Sequence, residues 1–421
     1  MAMKTVLIIT DKFPPGFAPR MGYLSKHLGE HGWKSIAISL ESSNENHFDF
    51  LSGYAKKKVY IPREKIKISI AHKMRLFFFP DLRGAASVGW RTYKKMEDSV
   101  KELVEKEQID MILCSTFGVF PLHIAYKTAK KYKIPWVADL RDMREQLRYV
   151  YEQKSIKLSF LKKLYFKSGI QRRNSILKKA DAITSVSKKH IEFIKSYGLK
   201  AHCIYNGADT DIFIPSKHHK LDKFRIVYTG TLSSTTKNVA PLFSAIQQLY
   251  MNKGIDFNNC RVQFYTSIDS QKIVNKLKET FCISDFIDCF DYVPATEIPK
   301  ILNESSILLL LLSYKDTGIM TTKFFEYLEA ERPILCIWGE EGAVEDIINN
   351  SDAGIAAKTE DDIKIFIKMK YDEWLKTGYT KSDINREYIK NFSRRYNAKQ
   401  FVELFDNILN LKRSHETQEK A

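Results

Sequence analysis

Short apolar runs, bounded by polar or Gly- and Pro-containing segments, alternate along this chain with longer stretches in which apolar residues return every three or four positions. The runs are VLIIT (Val6–Thr10), MILCS, PWVADL, AITSV, RIVYTG, VQFYT, ILLLLLS and PILCIW. Continuous runs rich in Val, Ile and Leu predict strands buried on both faces, the environment of a parallel sheet covered by helices. The intervening stretches predict those helices: after the first run, Tyr23, Leu24, His27 and Leu28 fall on one face. Because the alternation occupies both halves of the chain, the expected architecture is α/β with two doubly wound parallel sheets. The last periodic stretch, Phe392–Leu411, reads as an amphipathic helix, and no repeat of solenoid period stands out.

A chain of 421 residues, 44% of them hydrophobic, exceeds one ordinary core and suits two domains of about 200 residues each. These are expected at residues 1–208 and 209–391, with a basic linker around Ser216–Lys223. The six cysteines, Cys114, Cys203, Cys260, Cys282, Cys289 and Cys336, are scattered without a CxxC pair and read as core thiols in a reducing compartment. Neither they nor the ten histidines have metal-ligand spacing, so no metal is expected. The run VLII is too short for a signal peptide and ILLLLL too short to cross a bilayer, which predicts a cytoplasmic protein or one lying on a membrane face.

Charge separates the two halves. Residues 1–205 hold 39 Lys and Arg against 19 Asp and Glu, whereas the remainder is slightly acidic, within a net charge of +17. Lys154–Ala180 carries nine cations and no acid, interleaved with Ile156, Leu158, Phe160, Leu161, Leu164, Tyr165 and Phe166, and a second cluster runs from Arg63 through Lys73 and Arg75 into Leu76–Phe79. Cations beside apolar side chains suit an anionic membrane surface, each worth about 1 kcal/mol near lipid. With no recognisable nucleic-acid module, no nucleic-acid partner is expected.

The segment Thr317–Leu335 carries the clearest chemistry. Gly318, Ile319, Met320, Thr321 and Thr322 lead into an amphipathic helix, where unpaired backbone N–H groups and the positive end of the helix dipole converge on an anion site. Lys323 adds a full charge there, and Glu326, on the same face at i, i+3, is an acceptor suited to the paired hydroxyls of a ribose. Together they point to a nucleotide. In PWVADLRDMRE, Asp139, Arg141 and Asp142 stand at the end of a predicted strand, where side chains of an open sheet face the ligand crevice. Asp142 is the candidate to orient or deprotonate a hydroxyl, Asp139 and Arg141 are expected to pair with one another, and Ser115, Thr116 and Gly118 are further candidates in the loop after MILCS.

Around Lys323 and Glu326 the chain resembles the GT-B glycosyltransferases of family 4, which carry a lysine three residues before a Glu-Tyr-Leu. The resemblance continues in order through VLIITDKFPPGFAPRMG, the Asn206-Gly207-Ala208-Asp209 loop, and RIVYTGTLSSTTKN, while Asp139-Leu140-Arg141-Asp142 resembles the Asp-x-Arg-Asp motif of bacterial surface-polysaccharide enzymes. It implies two Rossmann-like domains facing a cleft, the first taking the acceptor and completed by the C-terminal helix (about 392–415), the second taking the nucleotide sugar. It implies donor contacts at Glu326, Gly230, Thr231 and the 318–322 loop, contacts from Gly16, Arg20 and Gly22, and catalytic roles for Lys237, Lys323 and Asp142.

Four departures mark the chain: Gly318 replaces a second glutamate, Thr321 replaces a proline, Thr231 replaces an arginine, and Arg144 stands where the Asp-x-Arg-Asp motif often reaches a tryptophan. Asp209-Thr210-Asp211 spells a DxD, but its place inside Asn206–Phe213 assigns these carboxylates to turn hydrogen bonds. The implied activity is retaining, metal-independent transfer of a sugar from UDP, in preference to GDP, to a carbohydrate or lipid-linked acceptor in capsule or O-antigen synthesis. The enzyme would need no cofactor and would sit on the inner face of the cytoplasmic membrane. A GT-B nucleotide-sugar 2-epimerase would share the nucleotide pocket but needs no acceptor, and a basic nucleic-acid-binding protein is the third reading.

Overall fold

The computed structural model describes residues 3–16, 18–42, 48–64, 87–146, 160–216, 220–232, 239–312, 320–337 and 342–418. Lys237, Gly318 and Ile319, most of the Arg63–Phe79 cluster and residues 154–159 of the basic segment lie outside them. In chain order the elements are β1 (Lys4–Thr10), α1 (Pro19–Leu28), β2 (Trp33–Leu40), β3 (Lys57–Ile61), α2 (Trp90–Lys106), β4 (Met111–Thr116), α3 (Leu122–Tyr132), β5 (Trp136–Leu140), α4 (Phe160–Leu177), β6 (Ala182–Ser185), α5 (Lys188–Ser196) and β7 (His202–Cys203). There follow β8 (Phe224–Thr229), α6 (Val239–Met251), β9 (Cys260–Tyr265), α7 (Ile268–Thr280), β10 (Ile287–Phe290), α8 (Ile298–Asn303), β11 (Ile307–Leu311), α9 (Thr322–Ala330), β12 (Ile334–Ile337), α10 (Ala343–Ser351), β13 (Gly354–Ala357), α11 (Glu360–Thr377), α12 (Arg386–Ile389) and α13 (Arg394–Gln418).

The chain divides into two units, one of residues 1–205 and 394–421, the other of residues 206–393. In the first, seven parallel strands run in the order β3-β2-β1-β4-β5-β6-β7. Alternate side chains leave the sheet on opposite faces, so each strand feeds two cores. Leu7, Ile9, Ile112 and Ala138 pack with residues of α2 to α5, while Val6, Ile8, Met111, Leu113 and Val137 pack with α1 and with Ala398, Phe401, Phe405 and Ile408 of α13. Trp33 meets Phe405 with ring centroids 5.3 Å apart, so the end of the chain supplies part of this unit's core.

The second unit has six parallel strands in the order β10-β9-β8-β11-β12-β13. One face is filled by Phe243 and Ile246 of α6, Val274 of α7, and Phe366, Ile367 and Trp374 of α11. Helix α11 begins at a capping box, Thr359 and Asp362 each accepting from the other's end of the first turn, and stops at Gly378, whose φ of 80° suits only a residue without a side chain. The predicted linker around Ser216–Lys223 belongs to this unit instead. Its described residues are fixed by Ser216 N donating to Asn303 Oδ1 (3.0 Å) and by Leu221, which exchanges bonds with Gly378 O and Trp374 Nε1. The turn reading of Asp209 holds locally, since its Oδ1 accepts from Asp211 N at 3.3 Å and its carbonyl from Ile212 and Phe213. Gly207 is required beside it, because a Cβ there would stand 2.3 Å from the carbonyl oxygen of Phe392.

Candidate functional site

In each sheet the strand order reverses at one point, between β1 and β4 and between β8 and β11. Loops leaving neighbouring strands there diverge to opposite faces and open a crevice at the carboxyl ends, the usual ligand position in open α/β sheets. The described residues singled out in the second half, Gly230, Thr231, Lys323 and Glu326, lie at the second of these points. Gly230 ends β8 with φ at 122°, and its N–H donates to Tyr265 O while its carbonyl accepts from Thr266 Oγ1. A Cβ at Gly230 would lie 2.3 Å from Lys323 Nζ, so the glycine makes room for the ammonium to rest on the turn.

Lys323 belongs to the first turn of α9, which enters from beyond β11. Its ammonium sits 4.5 Å from the ring centre of Tyr228 and donates to the Tyr228 hydroxyl at 3.2 Å; that hydroxyl donates onward to Thr231 O at 2.9 Å. Tyr327, one turn further along α9, is buried under the same loop; its hydroxyl accepts from Thr229 N (3.1 Å) and shares a hydrogen bond with the Thr229 hydroxyl (3.1 Å). The charge is thus fixed by a cation–π contact and one hydrogen bond among the described residues. Burial pushes the Lys323 ammonium down to about 8, against the attraction of Glu326. A desolvated cation with donors left over is poised for an anion, whose arrival restores its charge.

Glu326 is half-buried one turn further along α9, whose opposite face buries Phe324, Phe325, Tyr327 and Leu328. Thr321 starts the helix with extended backbone and no side-chain cap, and its buried Oγ1 has no hydrogen-bond partner among the described residues. Met320 is buried, and Thr322 is half-buried at the first helical position. Thr231 bonds through its hydroxyl to Tyr292. Neutral Thr231 adds no charge, so Lys323 is the cation that the described residues place at this turn.

In the first unit the expected Asp139–Arg141 pair does not form. Asp139 lies within β5 and meets Arg20 of α1, whereas Arg141 lies just beyond the strand and meets Asp11 of the loop after β1. Asp139 is fully buried and accepts from Arg20 Nε (3.2 Å) and Nη2 (3.0 Å), from Ser115 Oγ (2.8 Å) and from Thr184 Oγ1 (2.8 Å), while Arg141 pairs with Asp11. Burial alone would raise the Asp139 carboxyl, but Arg20 and the two hydroxyls outweigh it and hold it below the ordinary range. Arg20 also donates to the carbonyls of Ile204 and Tyr205, at 2.9 Å each, and stacks on Phe401. Its guanidinium therefore serves as an internal brace across β5, β7 and α13. Gly16 and Gly22 are packing positions: Cβ atoms there would meet Ser42 at 1.9 Å and Pro14 at 2.5 Å. Thr116 Oγ1 caps the loop that follows β4, donating to Phe120 O and accepting from Gly118 N.

Asp142 is exposed and bears no hydrogen bond or ion pair among the described residues. Crowding by the protein raises its carboxyl above the ordinary value, Arg141 opposing and Asp11 adding to the shift. The residues after it are held tightly. Glu145 receives both Nη atoms of Arg173, at 3.0 and 2.7 Å, and Gln146 bonds to His190, which Ser185 holds from the other side. Burial pushes His190 down to about 4, so it acts as a neutral hydrogen-bonding spacer at neutral pH. Arg173 is fully buried in this network, which corrects its reading as one of the surface cations of the basic segment. Sequence reasoning also missed Tyr228 and Tyr327, whose only signals were their positions two residues before Gly230 and one after Glu326.

This is the fold of GT-B glycosyltransferases, two parallel α/β sheets with flanking helices. The profile of a family described as Glycosyltransferase Family 4 matches residues 20–212. Comparison with curated proteins finds no match. Among solved structures, the chain is similar to sucrose-phosphate synthase from Thermosynechococcus elongatus (11% identity, TM-score 0.65, 97% of this chain and 100% of that one). It is similar to HepE from Anabaena, solved with UDP-glucose (11% identity, TM-score 0.65, 96% and 99%). It is less similar to a UDP-GlcNAc 2-epimerase from Neisseria meningitidis bound to UDP-GlcNAc (11% identity, TM-score 0.50, 96% and 100%). At these identities the likeness establishes the fold.

Proposed function

We propose that the protein transfers a sugar from a nucleoside diphosphate, UDP in preference to GDP, to a carbohydrate or lipid-linked carbohydrate acceptor, with retention at the anomeric carbon and without a metal ion. The observation that carries this reading is the Lys323 ammonium, fixed on the Gly230 turn at the switch point of the second sheet with Glu326 one turn behind it. Glu326 takes the ribose hydroxyls. Lys323, Lys237 and the N–H groups at the start of α9 receive the diphosphate. As the bond between the anomeric carbon and the diphosphate oxygen breaks, its electron pair stays on that oxygen, and these donors stabilise the growing charge. The acceptor oxygen bonds to the anomeric carbon, and its proton passes to Asp142, whose raised carboxyl makes it a better base than an ordinary aspartate. HepE, solved with UDP-glucose, supports the choice of UDP.

Capsule or O-antigen synthesis is the setting we infer from the Asp139–Asp142 segment, and docking on anionic membrane from the basic first half. A panel of nucleotide sugars tested for thermal stabilisation identifies the donor, since a ligand at 100 times its dissociation constant adds about 2.7 kcal/mol. Epimer formation without any acceptor would favour the second reading, for which the epimerase likeness is the specific observation. Stabilisation by no nucleotide sugar would refute both.

A further inference from the structure

The segment after β5 contains a cation with no bonded partner among the described residues. Arg144 is half-buried, and among the described residues its guanidinium makes no hydrogen bond or ion pair. Among the described residues the acids nearby in sequence are paired elsewhere, Asp139 with Arg20, Asp11 with Arg141 and Glu145 with Arg173, apart from Asp142. A glycine makes the space that Arg144 fills: a Cβ on Gly169 of α4 would lie 2.2 Å from its Nη1, while its Nη2 lies in van der Waals reach of Gly118, in the loop after β4. The guanidinium is therefore laid between α4 and the carboxyl end of the sheet, beside a helix with no acid in it. A partly desolvated charge without a counter-ion is costly, and a planar fork of five donors matches the oxygens of a phosphate.

We propose that Arg144 anchors a phosphate group of the acceptor, two residues from the Asp142 carboxylate that meets its hydroxyl. This rests on the glycosyltransferase reading and deepens it: the acceptor is a phosphorylated sugar, either free in solution or carried on a lipid through a phosphate. Arg144 is a specificity residue in this scheme. It holds the acceptor's anion, while the donor diphosphate belongs to Lys323 in the other unit.

The test uses the full chain saturated with UDP, titrated by calorimetry at low ionic strength with glucose 1-phosphate and, in parallel, with methyl glucoside. The parent should prefer the phosphate by about tenfold or more, the worth of one charge-assisted contact. Arg144→Gln should abolish the preference and Arg144→Lys retain part of it. Gly169→Ala keeps the charge and favours the helix, yet should weaken phosphate binding by displacing the guanidinium. A second arm measures flotation with phosphatidylcholine vesicles with and without a polyprenyl phosphate, and a gain that depends on Arg144 identifies the lipid-borne source. The proposal is overturned if the parent prefers the phosphate in neither arm, if Arg144→Gln keeps the preference, or if saturating UDP removes it. UDP binding is measured first: its absence defeats the underlying reading, whereas its presence without phosphate preference defeats only the role of Arg144.

Discussion

Binding of UDP should carry a proton with it above neutral pH. Lys323 is held on Tyr228 and the Gly230 turn, and burial sets its ammonium near 8. A diphosphate at that turn favours the cation and returns the lysine to, or above, its ordinary value. The free protein then has about a tenth of its Lys323 neutral at pH 7, half at pH 8 and about nine-tenths at pH 9, and those fractions are the protons taken up on binding. Affinity for UDP should accordingly fall about tenfold between pH 7 and pH 9. Calorimetry in two buffers of different ionisation enthalpy reads the uptake directly, from the difference in apparent binding enthalpy at each pH. Lys323→Met should lose both the pH-dependent uptake and the high-pH decline. Equal uptake at pH 7 and pH 9, or the same profile in the methionine variant, would refute the claim that this ammonium meets the diphosphate.

Gly230→Ala should weaken UDP binding by about tenfold, because the new Cβ collides with Lys323 Nζ and the φ of 122° disfavours a side chain, and a calorimetric titration checks it. Asp139→Asn should destabilise the first unit by about 3–5 kcal/mol, since it leaves Arg20 buried beside a neutral amide, and thermal melting reads the loss. The same carboxylate, held below its ordinary value, contributes stability that is present above the unfolded carboxylate range and lost only as pH falls through its lowered folded value. Replacing Lys163, Lys167, Lys178 and Lys179 with glutamine should reduce flotation with anionic liposomes while leaving nucleotide binding unchanged; Arg173 is unsuited to that test because it is buried against Glu145.

Eight of the thirteen described strands were legible because each is a largely apolar run, and the structure departs from their predicted limits by only a few residues; β2, β3, β7, β10 and β13, which are short or mix apolar with polar residues, were not among those runs. RIVYTG becomes β8 with Gly230 at its end, and PILCIW begins pairing at Ile334, after a proline with no N–H to give. The i, i+3 placement of Lys323 and Glu326 on α9 was equally readable, since a helix carries its own geometry. The partners were not readable. Arg20 and Asp139 are 119 residues apart, and nothing local distinguishes Asp139–Arg141, adjacent on paper, from the pairing that the β1–β4–β5 order brings together. Adjacent residues on a strand point to opposite faces, and those two apart share a face only while the strand lasts; β5 ends at Leu140, so Arg141 turns away to Asp11. Arg173 was misread for a related reason: a cation in an acid-free run looks solvated until a carboxylate from a different element, Glu145, is folded onto it.

The most direct test of the nucleotide assignment is a titration of UDP into the parent protein and into Glu326→Ala, with thermal melting of both. Two ribose hydroxyls on this carboxylate are worth roughly 1.5–3 kcal/mol as charge-assisted hydrogen bonds, so the variant should bind at least about tenfold more weakly while its melting temperature in the absence of ligand stays unchanged. A variant that binds UDP as tightly as the parent would contradict the account.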